Sequence, residues 1–92
     1  MNQTVVDLVT PHLLRIVDLA SQADRGVNVD WHLRGAVEAT MRELGDLWNA
    51  QALVAAYVHG LETAAAQAPK ARPVYVRVLQ TAAATARGLR RD

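Results

Sequence analysis

Few residues of this 92-residue sequence could carry acid–base, nucleophilic or ligand chemistry. It holds three histidines (His12, His32 and His59), nine carboxylates and no cysteine. The lack of cysteine excludes disulfides, thiolate metal sites and a cysteine nucleophile. Ser21 is the single serine, with no nearby histidine and no glycine-rich elbow to activate it. None of the histidines belongs to a metal-binding spacing such as HExxH. His59 and Glu62 stand three apart and share a helical face, which could hold a metal only with ligands from elsewhere. Di-iron bundles need several buried carboxylates and Glu-x-x-His pairs, and these are missing. Glu43 with Asp46, and Asp18 with Asp24, read as solvated helix faces, and no phosphate-cradling glycine loop occurs. The expectation is therefore no catalytic residues, no metal ligands and no enzyme acting alone.

The elements that would position these side chains are helices. Val5, Leu8, Val9, Leu13, Ile16, Val17 and Ala20 recur at spacings of three and four, which predicts a first helix over about 4–25. Pro11 either starts that helix, with Thr10 as N-cap, or sits within it at a kink; the stripe keeps its phase across the proline. Gly26 is a suitable stop, and Asn28 or Asp30 can cap the next helix. That helix carries Leu33, Ala36, Val37, Thr40, Met41, Leu44, Leu47 and Trp48 on one face. Gly35 inside it costs about 1 kcal/mol relative to alanine, a cost that a close helix crossing would explain. Asn49 ends this helix or caps a third over about 50–68, whose stripe includes Leu53, Val54, Tyr57, Val58 and Leu61. Pro69 to Pro73 form the clearest loop, and a last helix begins near Pro73, a favoured first-turn residue. Val74 to Val78 could pass for a strand by composition, but Leu79, Ala82, Ala83, Ala86 and Leu89 continue a helical period.

The pattern implies one all-α domain over 1–92: a small antiparallel bundle of about four helices, with dimerisation as a means of completing it. Composition points the same way. Seventeen alanines and no phenylalanine make good helices but a core of small side chains, so burial energy per contact is low. The start lacks the basic stretch of a signal peptide, and no uncharged apolar run reaches the roughly 18–20 residues of a membrane span. A cytoplasmic protein without membrane association is expected.

Charge is uneven along the chain. Residues 1–49 hold four arginines against seven acids, and residues 50–92 hold six bases against Glu62 and Asp92. This pattern suits complementary halves of one bundle. It also suits a basic last helix, with Arg77, Arg87 and Arg91 roughly along one side, meeting an acidic partner or nucleic acid. A net charge of +1 is modest for a nucleic-acid binder.

One local pattern carries a family resemblance. Leu44-Gly45-Asp46-Leu47-Trp48, followed by Ala55-Ala56-Tyr57-Val58-His59, resembles the four-helix cap of cobalamin-binding proteins over residues 31–65. That family has an aliphatic-Gly-x-x-Trp helix end and a histidine eleven residues after the tryptophan, the separation between Trp48 and His59. The resemblance implies a helical lid in which Trp48 stacks over the upper ligand of the corrin and His59 faces it. The chain departs from the pattern at Val58, where the family has glutamate, and at Gln51, where it has a small residue. It also lacks the family's cobalamin-binding α/β domain. Cobalamin is the only cofactor any of these readings invokes. The residues themselves favour a non-enzymatic interaction module that binds protein, including a second copy of itself. A ligand-binding bundle using Trp48 and His59, and a binder of nucleic acid or an acidic partner through the last helix, are the alternatives.

Overall fold

The computed structural model describes residues 2–90, and the side chains of residues 5–90. The chain forms four helices: α1 (Asn2–Asp24), α2 (Asp30–Gly45), α3 (Ala50–Gln67) and α4 (Pro73–Leu89), with no strand among the described residues. Val74 to Val78 are helical, because α4 buries Val78 and Leu79 together with Ala82, Ala83 and Ala86 on one stripe. Gly26 ends α1 with a φ of 95°, a left-handed conformation that glycine adopts without a Cβ penalty. Pro11 lies inside α1. Proline carries no N–H to donate within the helix, and one residue earlier the Thr10 hydroxyl donates to the Val6 carbonyl at 2.7 Å.

The helices form an antiparallel bundle measuring 38 × 24 × 21 Å. The first turn of α3 (Ala50, Gln51) and the end of α4 (Leu89, Arg90) border one hollow, so these two helices run in opposite directions. At the other end, Asp24 closes α1 beside the head of α4, where Arg72 Nε meets Asp24 Oδ2 at 2.8 Å. The Arg72 guanidinium also lies 4.2 Å from the centre of the Tyr75 ring. Every helix touches every other, and α2 is the least contacted of the four. The core is built on Ile16, Val37, Leu44, Leu53, Tyr57, Leu61 and Leu79, with alanines filling the remaining space.

Two expectations are corrected. Leu47 and Trp48 do not extend the inner face of α2. The helix ends at Gly45, the turn that follows carries both side chains outward, and Trp48 is left 89% exposed. Gly35 is not a close crossing within the bundle either: a Cβ there would meet nothing within 4 Å. The close approach is at Gly60, where an added Cβ would stand 2.7 Å from Leu13 Cδ1, so α1 packs its leucine into the gap left by a glycine of α3.

This difference predicts opposite effects of two glycine substitutions. Gly60→Val overpacks the α1–α3 contact and costs about 1–3 kcal/mol of stability. Gly88→Ala, where the added methyl meets nothing within 4 Å, gains roughly 0.4–1 kcal/mol. Denaturant unfolding of both variants checks this; a Gly60→Val protein as stable as wild type would contradict it.

Candidate functional site

Two arrangements stand out, one through the core and one on the surface. The first begins at His12, which falls between Val9 and Ile16 on the inner stripe of α1 at spacings of three and four. Its Nδ1 lies 3.3 Å from the Thr40 hydroxyl, and its Nε2 lies 3.3 Å from Glu43 Oε2. Both partners are on α2. With the ring proton on Nε2, His12 donates to the carboxylate and leaves Nδ1 to accept from the threonine. Thr40 is the buried polar residue of α2. Tyr57 of α3 is fully enclosed, and its hydroxyl lies near that of Thr40 without forming a hydrogen bond of good geometry. Burial pushes that hydroxyl up to about 12, with the neighbouring Thr40 hydroxyl and the Arg15 charge pulling the other way. Polar groups of three helices therefore line up from an exposed carboxylate to a buried phenol. His12, Thr40 and Tyr57 all sit at core positions of their helices, so periodicity alone carries the signal for this chain of groups.

The second arrangement is the outer face of α2. Both tryptophans of the chain lie in the open at its two ends. Trp31 in the first turn is 87% exposed, and Trp48 stands three residues beyond Gly45. Tryptophan is among the most buried residues on average, and a small domain short of large apolar side chains leaves both of its tryptophans outside. Between them the face carries Gly35 and the charged residues Arg34, Glu38 and Arg42. Arg34 Nε pairs with Glu38 Oε2 at 3.2 Å, and Arg42 makes no ion pair among the described residues.

The site residues named from sequence are dispersed. Trp48 is in the α2–α3 turn, and His59 is nine residues into α3, about 14 Å along the helix at 1.5 Å per residue. His59 is exposed, with Nε2 3.5 Å from the Thr63 hydroxyl. Glu62, three residues on, turns instead to Arg87 of α4 at 3.0 Å. Arg87 therefore faces α3, whereas Arg77 borders a hollow beside the start of α2. Arg91 lies outside the described residues. No group of three or more potential metal ligands gathers among the described residues. No helix among them is long and apolar enough to cross a membrane. The complementary charges of the two halves meet within the bundle at Arg72–Asp24. Comparison with known protein families, curated proteins and solved structures finds no match to this chain.

The enclosed phenol sets an alkaline limit on stability. The folded state holds the Tyr57 proton more tightly than the unfolded chain, whose tyrosine titrates near 10.0. The contribution of Tyr57 is therefore constant below pH 10 and is lost as pH rises from about 10 to 12, by on the order of 2–3 kcal/mol. Tyr57→Phe removes that part of the alkaline loss and, because the hydroxyl forms no hydrogen bond of good geometry, costs little stability at pH 7. Chemical unfolding of both proteins across this pH range tests the assignment. An unchanged alkaline slope in Tyr57→Phe would refute it.

Proposed function

We propose that this protein is a non-enzymatic helical interaction module that works by binding protein and associates with itself. The observation that carries this reading is the exposure of Trp31 and Trp48 at the two ends of the least contacted helix. Large aromatic side chains are the characteristic anchors of protein interfaces and are costly to leave in water. The thin alanine core adds to the case, because a domain with little buried area gains most from burying more in an assembly. The polar groups around His12 fit a structural role, because they give the buried Thr40 hydroxyl a partner within the core.

Self-association predicts that sedimentation at micromolar concentration yields a species larger than 10.0 kDa. Tryptophan emission should shift to the blue as concentration rises, because the indoles leave water. A strict monomer with constant emission would count decisively against the reading.

A second reading rests on the hollow of about 450 Å³ at the α2–α3 junction, lined by Met41, Gly45, Gln51, Val54, Leu89 and Arg90. Its volume falls in the range of small-molecule sites, roughly 300–1,000 Å³. Trp48 is on the adjoining turn. Under this reading the resemblance to a cobalamin-domain cap makes cobalamin the first ligand to try. Saturable quenching of Trp48 fluorescence on titration would support it, and a flat titration would end it.

A further inference from the structure

We infer that the partner of the outer α2 face is a second copy of the same face, with the two α2 helices antiparallel about a two-fold axis at the level of Thr40. The inference rests on the interaction reading above and deepens it.

A two-fold axis brings residues equally far before and after one position opposite each other across an antiparallel helix pair. On α2, taking position 40 as centre puts Glu38 opposite Arg42 of the second copy, and Arg42 opposite its Glu38. It puts Gly35 level with Gly45 of the second copy. The buried residues Leu33, Ala36, Val37, Thr40 and Leu44 define the inner side of the helix. At 100° per residue, the charged residues and glycines named here project from the opposite half. All are exposed except Glu38, which is half-buried beside Arg34. Every opposed charge is met by its opposite.

The glycines support the same register. An added Cβ at Gly35 or Gly45 meets nothing within 4 Å of its own chain, so the fold of one copy does not require either residue. Their cost in a helix is about 1 kcal/mol each. Opposed across the pair, they let the two backbones approach at two points, one on each side of the axis.

The tryptophans complete the arrangement. Trp31 precedes the centre by nine residues and Trp48 follows it by eight, so each Trp31 reaches the end of the partner helix that carries Trp48. Four indoles burying roughly 150–250 Å² each supply about 600–1,000 Å² of a dimer interface. A stable interface needs about 1,200–2,000 Å² in total, which leaves the remainder to the facing surfaces of the two 16-residue helices.

The experiment is a charge reversal read by native mass spectrometry and sedimentation. Glu38→Arg alone sets arginine against Arg42 at both symmetry-related positions, and Arg42→Glu alone sets glutamate against Glu38. Each variant by itself should dimerise at least roughly tenfold more weakly than wild type. Mixing the two should restore dimerisation as a heterodimer, because both opposed pairs are then of opposite charge. Changes within each helix are the same before and after mixing, so recovery reports the contact between copies alone. Circular dichroism of the separate variants establishes that each stays folded. Leu14→Ser, on the exposed outer side of α1, should leave the dimer intact. A wild-type dimer with no heterodimer preference on mixing, or one that Leu14→Ser dissociates, would overturn the α2 pairing and leave the interaction reading standing. A monomeric wild-type protein would overturn both.

Discussion

The structure depends on how closely its helices can approach when their contacting side chains are small. A bundle filled by alanine gains little from each contact, so it must bring backbones together and make every helix touch every other. Leu13 seated against Gly60 is one such close approach, and among the glycines it is the one whose missing Cβ another helix fills. Around it, α1, α3 and α4 touch one another most, and α2 closes the bundle with fewer contacts. The thinness of the core also explains why a single buried phenol matters. Tyr57 is the largest enclosed side chain, and the space it fills has no equivalent substitute among the alanines.

The same economy shapes the surface. A core this small has no room for two indoles, and the turn after Gly45 directs Trp48 outward while the first turn of α2 holds Trp31 outside. Charges that would repel along the chain are partly settled within the bundle, at Arg72–Asp24 and Arg87–Glu62. Such exposed pairs each contribute little, typically 0–1 kcal/mol. They fix which helix ends lie together more than they stabilise the fold. On the outer side of α2, exposed apolar area, unpaired charge among the described residues and open glycines coincide.

Helix periods, the Gly26 stop and the Pro69–Pro73 loop were legible because each depends on a few neighbouring residues. Boundaries came within two residues at every helix but the end of α2. There, Leu47 and Trp48 continued the apolar period by type while the backbone had already turned. Periodicity reports which side chains could face inward together, and it does not report where a helix stops when no strong breaker follows. The same limit applies to the glycines. Gly35 and Gly60 are equivalent as letters inside helical segments, and only the placement of Leu13 from another helix distinguishes a required glycine from an open one.

The sequence by itself determined the helical class, the alanine-rich core and the lack of cysteine chemistry, because composition and spacing act locally. Tertiary structure decided the rest. It joined His12, Thr40 and Glu43 across 28 or more residues of chain. It gave Glu62 to Arg87 rather than to His59, and it placed both tryptophans in solvent. Each of these outcomes depends on which faces of separate helices meet. Faces meet by the balance of shape and burial over the whole bundle, a balance that no local run of residues contains.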